Sequence, residues 1–425
     1  VYFEIGDTMW GQASSGGALG ADKTIVELRN AYIDWTVPNT DLKFRMGIQG
    51  LSMPNVAGGS AVLFDDAAAV VANYQFNENV GLTAFWARLF NDNWNESSAA
   101  NRWSPDDDAN YQDNVDLFAL MLPLTFEGVK LPPWAMYGMA GANTNTLTST
   151  APYARYANGG DKFDFDKAAT GKAYGSMFWA GLPIAVTAFD PLNIEVDINY
   201  GYVESMGRYD VQQLNSGAWR RGDTQREGWL VKALVEYKLD WGTPGIFGWY
   251  SSGDDGNVKN GSERMPSISA CGNFMSFMGD GNYGWSTSDS LYDRNMSYAG
   301  TWGIGLRVHD LSFVEDLKHS FRVAYWGGTN SPSMAKYVNS SYGWQNFNND
   351  LNFGEKDGPY LTTNDGLLEF NLVNSYQIYE NLEANLELGY IVNMMDDDTW
   401  KRSYRNDSYK KQDAWKAQLI FAYSF

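Results

Sequence analysis

The chain closes on a run in which every second residue is apolar. Trp415, Ala417, Leu419, Phe421, Tyr423 and Phe425 fall on one face of an extended segment, and Lys416 and Gln418 fall on the other. Successive side chains of a strand point to opposite sides, so this spacing makes a strand with one greasy and one wet face. A strand of that kind belongs between lipid and water, as in the wall of a membrane β-barrel.

The rest of the chain obeys the same constraint. Its 425 residues include 43 Gly, 17 Trp, 26 Tyr and 22 Phe but only 13 Pro, and the mean hydropathy is -0.39. That is too polar for a bundle of membrane helices, and no run of about eighteen apolar residues exists to form one. The longest mainly apolar stretch, 117–126, is broken by Pro123 and suits a strand. Length alone suggests two or three soluble domains. A closed barrel instead uses residues 1–425 as one domain, because each strand pairs with its neighbours. Cys271 stands alone, cannot form an internal disulfide, and reads as an incidental thiol. The chain opens inside an alternating segment, so it is expected to be a processed chain from which an N-terminal hairpin could be missing.

Alternating segments of about ten residues recur along the sequence. They cover 1–10, 24–37, 41–50, 66–76, 80–91, 114–125, 128–141, 173–189, 192–204, 227–240, 244–252, 298–311, 318–328, 363–379, 382–393 and 413–425. The fold class is therefore all-β, a transmembrane antiparallel barrel of 16 strands, or 18 if the hairpin is missing. Short connections such as Pro38-Asn39-Thr40, Glu127-Gly128, Asp190-Pro191 and Glu380-Asn381 carry tight-turn chemistry. They alternate with long polar connections at 11–23, 51–65, 92–113, 142–172, 205–226, 253–297, 329–362 and 394–412. Outer-membrane barrels sort periplasmic turns from extracellular loops in this way.

A Lys or Arg facing mid-bilayer costs about 2 to 4 kcal/mol, so the charged faces point inward. This makes Lys43, Arg45, Glu195, Asp197, Lys232, Glu236, Lys238, Arg307, Glu369, Glu383, Glu387 and Lys416 the expected pore-lining residues, joined by Gln49, His309 and Asn385. Mixed signs in that set suggest a transverse field across the lumen. Sixteen strands are too wide for side chains to fill, so the interior should hold water. Two segments, 66–76 and 114–125, are small or apolar on both faces. They call for a folded-in loop on the inside and a neighbouring protomer on the outside.

The short-turn and long-loop alternation, the polar inner faces and the Phe421, Tyr423, Phe425 terminus resemble a trimeric general porin. The acidic, Trp- and Gly-rich style is similar to the homotrimeric outer-membrane porins of sulfate-reducing bacteria. The terminal aromatics also resemble the signal read by the barrel assembly machinery of Gram-negative bacteria. The resemblance implies a homotrimer in the outer membrane, surrounded by lipid and lipopolysaccharide, with a loop in each barrel folded inward as a constriction. By count that loop is 92–113, with Asp106, Asp107 and Asp108, although it lacks the Pro-Glu-Phe-Gly-Gly motif of many enteric porins. Segment 51–65, with Gly58-Gly59 and Ala61-Val62-Leu63-Phe64, competes for the role.

The net charge of -20 concentrates in loops, including Asp254-Asp255 and the run Asp396, Asp397, Asp398. Such runs usually form solvated surface, and hard cations such as Ca²⁺ or Mg²⁺ are the alternative occupants. No other cofactor and no nucleic-acid partner is expected. Only His309 and His319 are present, without a nucleophile elbow, a His-Glu-x-x-His motif or a Cys/His cluster, so the chain does not read as an enzyme. The expected function is passive diffusion of small hydrophilic solutes and ions. The runner-up is a channel specific for sugars or organic acids, lined by loop aromatics such as Trp94, Trp103 or Trp344. A soluble carbohydrate-binding or hydrolytic β protein is the third alternative.

Overall fold

Alternation of side chains becomes a wall of paired strands in the computed structural model. It describes residues 1–5, 26–91, 114–141, 174–205, 208–213, 216–223, 225–270, 274–275, 298–337, 353–354, 358–403 and 412–424. The wall strands are β1 (Tyr2–Ile5), β2 (Val26–Thr36), β3 (Lys43–Ser52), β4 (Phe64–Gln75), β5 (Gly81–Asn91), β6 (Asn114–Met121), β7 (Trp134–Gly141) and β8 (Tyr174–Phe189). They continue as β9 (Leu192–Val203), β10 (Arg226–Tyr237), β11 (Thr243–Ser251), β12 (Thr301–Val314), β13 (Leu317–Gly328), β14 (Gly366–Tyr379), β15 (Leu382–Asn393) and β16 (Ala414–Tyr423). Each pairs antiparallel with the next from β1 to β16. Sixteen wall strands, the first of them short among the described residues, thus agree with the sixteen alternating segments. The sheet counts 18 only because Leu124–Phe126 and Val129–Leu131 form a separate hairpin tip on β6 and β7. Pro123, Pro132 and Pro133 cause that split, since proline cannot donate to a ladder.

Burial follows the period-two pattern. On β9, Asp197 and Asn199 are buried while Ile198 between them is exposed, and on β10 Leu230, Lys232 and Leu234 are buried while Trp229 and Val235 are exposed. Exposed apolar residues recur on every long strand, including Ile33, Ile48, Trp86, Phe118, Phe178, Ile246, Leu306, Phe321, Leu386 and Leu419. A soluble monomer rarely exposes more than a few hundred Å² of contiguous apolar surface. This belt runs around the whole wall and fits a hydrocarbon surround. Aromatics mark both of its margins: Phe76, Phe126, Phe189, Phe313 and Tyr379 beside the short turns, and Tyr250, Tyr325, Tyr390 and Trp415 toward the long loops. Tyr and Trp favour such apolar–polar boundaries.

The interior differs from a uniformly wet lumen. Ala67, Ala69, Phe85, Ala87, Leu117, Ala119, Met121, Trp134, Met136 and Trp179 form a buried inner surface on β4 to β8. Against it pack Met53, Val62, Leu63, Met265 and Ile268, which belong to connections rather than strands. The apolar inner faces of 66–76 and 114–125 are therefore covered by folded-in chain. That chain fills part of a cross-section which strand side chains alone could not.

Candidate functional site

Two connections meet inside the wall. The first, residues 53–63 between β3 and β4, crosses to β9 and β10. The Asp197 carboxylate accepts the amide hydrogens of Val56 at 3.1 Å and Ala57 at 2.7 Å. Lys232, opposite Asp197 in the ladder, donates its ammonium to the Gly59 carbonyl. Gly58 lies between these anchors at φ +83°, and a Cβ there would come within 3.3 Å of the Lys232 Nζ. Only glycine adopts that backbone easily. On the β7 side the Trp134 indole donates to the Pro54 carbonyl at 3.0 Å. Trp134 lies so close over Gly181 that a Cβ at that position would be 2.2 Å from the ring.

The second connection, residues 262–270, follows β11. The Trp179 indole donates to its Pro266 carbonyl at 2.9 Å. The two connections are joined by short parallel pairing: the amides of Ile268 and Ser269 donate to the Val62 carbonyl at 2.9 and 3.0 Å, and the Phe64 amide donates to the Ser269 carbonyl at 2.8 Å. Ser267 Oγ adds a bond to the Ala61 carbonyl at 2.7 Å. Backbone groups brought into an apolar interior need such partners, so the joint supports the inward fold as a unit.

Segment 51–65, the competing candidate, thus folds inward among the described residues. Asp106, Asp107 and Asp108 of 92–113 lie outside the described residues, as do Trp94, Trp103, Trp344 and Phe425.

The other expected pore residues distribute as follows. Glu236 and Arg307 form an ion pair, and Asn193 Nδ2 bridges Glu236 and Glu195 at 3.0 and 2.9 Å. Arg307 faces Arg322 across the ladder, and Arg322 donates to His309 Nε2 at 3.1 Å. Glu369 and Glu387 are buried on the inner face of β14 and β15, where Lys416 interacts electrostatically with both. Glu383 accepts from Asn385 at 2.8 Å. Acids and bases are interspersed along this part of the wall, with like charges adjacent at Arg307 and Arg322. Lys238 lies one residue past β10 and is exposed at the short-turn rim rather than lining the wall. Lys43 and Arg45 point inward on β3, with Arg45 paired to Asp34. On the outer face, Phe421 and Tyr423 are 62% and 60% exposed.

The acidic run 396–398 has a local structural use. Asp396 accepts the amide and hydroxyl of Thr399 at 2.8 and 2.6 Å, which caps helix α1 (Asp397–Ser403), and Asp397 and Asp398 occupy its first turn. Carboxylates are favoured at that end of a helix. Among the described residues, no three His, Cys, Asp or Glu side chains gather as a metal site.

Beyond the wall, Asp254 is fully buried and accepts from Ser262 Oγ and the Tyr360 hydroxyl, both at 2.6 Å. Burial raises its pKa against the lowering effect of Arg264, which stacks over Tyr360 at 5.1 Å. Burial also pushes Glu263 up to about 7. The Asp255 amide works against that shift, and the charges of Asp254 and Asp255 add to it.

A cavity of about 550 Å³ is lined by residues of β2 to β6, from Thr36 and Lys43 beside a short turn to Leu51 and Ser52 before loop 53–63. Asp34, Lys43, Arg45, Gln49, Asn73, Thr83, Phe85 and Met121 are among its lining residues. Asp34, Asn73 and Thr83 were not singled out by the sequence reading. Hairpin arithmetic could have found Asp34, because a turn centred on Asn39-Thr40 sets it opposite Arg45. Trp134 and Trp179 offered no comparable signal.

No family model matches the chain, and no curated protein does. Among solved structures it is similar to the outer membrane protein opdK from Pseudomonas aeruginosa, at 10% identity over 92% of this chain and 78% of that one, with a TM-score of 0.44. It is also similar to Pseudomonas aeruginosa OccK5 (OpdH), at 11% identity, 94% and 82% coverage and a TM-score of 0.40. A third likeness is to the outer-membrane expressed OmpT of Vibrio cholerae, at 9% identity, 91% and 99% coverage and a TM-score of 0.32.

Proposed function

We propose that the chain is an outer-membrane porin of a Gram-negative bacterium, a channel through which small hydrophilic solutes and ions diffuse down their gradients. One observation carries the reading: an apolar belt surrounds a wall whose inner face holds the buried charged side chains Asp197, Lys232, Arg322, Glu369 and Glu387, and clamped loops narrow the space within. Strands with apolar-out and polar-in faces are stable only with lipid outside and water or protein inside. The protein supplies a pore size and an electrostatic profile rather than a reaction. Purified protein in a planar bilayer should give stepwise conductance that persists without a transmembrane voltage history. Absence of conductance steps from folded, heat-modifiable protein would refute it.

The 550 Å³ chamber favours a second reading, a channel selective for one solute class, because its lining combines apolar with charged side chains. A homotrimer belongs to the proposal as well. Two ion pairs lie on the outer face of β2 to β6, Arg88–Asp116 at 3.0 Å and Arg29–Asp66 at 2.7 Å, a sector better suited to protein than to lipid tails. Cross-linking in outer-membrane fractions would reveal trimers, and a monomer alone would remove that part of the proposal. Lipopolysaccharide, with divalent cations at its anionic surface, and the barrel assembly machinery are the other partners this reading implies.

A further inference from the structure

The chamber bordered by β2 to β6 combines three kinds of surface. One part of its lining is apolar, made by Leu51, Phe85 and Met121, all less than a tenth exposed. Its wall carries a two-point ion pair: Arg45 Nε meets Asp34 Oδ1 at 2.7 Å, and Arg45 Nη2 meets Asp34 Oδ2 at 2.9 Å. The guanidinium also lies 4.0 Å from the centre of the Tyr32 ring, which holds its plane. Its third component is a neutral pair, with Thr83 Oγ1 donating to Asn73 Oδ1 at 2.7 Å and leaving the Asn73 amide hydrogens for another partner.

The ion pair is not a buried structural bridge. The side chains of Asp34 and Arg45 are 59% and 42% exposed, so both charges face the chamber. A solvated pair contributes little to stability, typically under about 1 kcal/mol. It does present an anion and a cation side by side at fixed spacing. A ligand with one cation and one anion can lie antiparallel to that dipole and answer both charges. A ligand with a single charge answers one and repels the other.

We propose that the chamber is a binding station for amphipathic zwitterions, of the class of α-amino acids with apolar side chains. The ligand ammonium meets Asp34, its carboxylate meets Arg45 with support from Lys43 and the Asn73 amide, and its side chain packs against Phe85 and Met121. A volume of about 550 Å³ accommodates such a molecule with water. The station lies on the path that solutes take past loop 53–63, so this inference rests on the channel reading. It adds the class of solute that lingers there.

The experiment is single-channel recording in a planar bilayer with leucine, its deaminated analogue 4-methylpentanoate, or glycine added to salt. Leucine should interrupt the current in events that saturate with concentration, with dwell times roughly tenfold longer than for either comparator, the scale of one charge-assisted contact. Asp34→Asn should bring leucine and 4-methylpentanoate to similar dwell times, because it removes both the partner of the ligand ammonium and the charge that repels a lone carboxylate. Phe85→Ala should bring leucine toward glycine. Equal dwell for leucine and 4-methylpentanoate, unaltered by Asp34→Asn, would overturn the proposal in favour of a simple carboxylate site. Normal salt conductance with no interruption by any solute would overturn it while leaving the channel intact. Loss of salt conductance in the wild type would remove the channel reading itself.

Discussion

Asp197 and Lys232 stand opposite each other on neighbouring strands, and both reach the same loop more than 130 residues away in sequence. The carboxylate accepts two consecutive loop amides, and the ammonium donates to the loop carbonyl at Gly59. The pair is almost fully buried, at 1% exposure for each residue.

Asp197→Ala should therefore release loop 53–59 from the wall. Removing one partner of a buried charge pair typically costs about 3 to 5 kcal/mol. Thermal unfolding in detergent should fall, and single-channel conductance should rise and become noisier. Asp197→Ala with Lys232→Met should recover part of the stability, since no buried ammonium is left unpaired, without restoring the quiet current. Unchanged conductance in both variants would mean that the loop does not limit the pore.

Arg at Val196 or Val235 should impair folding by about 2 to 4 kcal/mol, because both side chains belong to the lipid-facing set. Asn73→Arg, on an exposed inner position, should fold normally and shift ion selectivity toward anions. Asn199 and Asn385 lack that tolerance despite facing inward, because they are only 4% and 0% exposed. Urea refolding into vesicles and reversal potentials separate the two effects.

Glu263 gives the loop assembly a pH dependence. Its pKa rises from 4.5 to about 7, so the folded protein holds this proton more tightly than the unfolded chain does. The contribution to stability is complete below the unfolded value. It declines as pH rises through the window from 4.5 to about 7. Glu263→Gln should flatten this part of the curve and raise the melting temperature at pH 8 relative to wild type. Parallel curves for the two proteins between pH 5 and 8 would contradict the assignment.

Asp396→Ala removes the cap of α1 and two bonds to Thr399. Loss of such a cap costs about 1 kcal/mol. Melting should respond while the reversal potential stays near wild type, because screening limits these charges to about 8 Å at physiological salt. A large shift in reversal potential would place the run at the entrance of the current path.

The sequence by itself determined the wall. Alternation at 192–204, 227–240 and 413–425 decides which side of each strand is apolar, because side-chain direction in a strand depends only on parity. Turn residues then fix the neighbours, which is why the sixteen segments match β1 to β16 and why Asp34 and Arg45 could be paired by counting from their turn. What only the tertiary structure decided is where loop 53–63 goes and which residues anchor it. Gly58-Gly59 and the apolar run 61–64 marked loop 53–63 as a candidate, but no local pattern names its anchors. Its partners, Asp197, Lys232, Trp134 and residues 267–269, are separated from it by 80 to 207 positions. Contacts of that range are made when the sheet curls and opposite walls approach, and no periodicity along the chain records which residues will then meet.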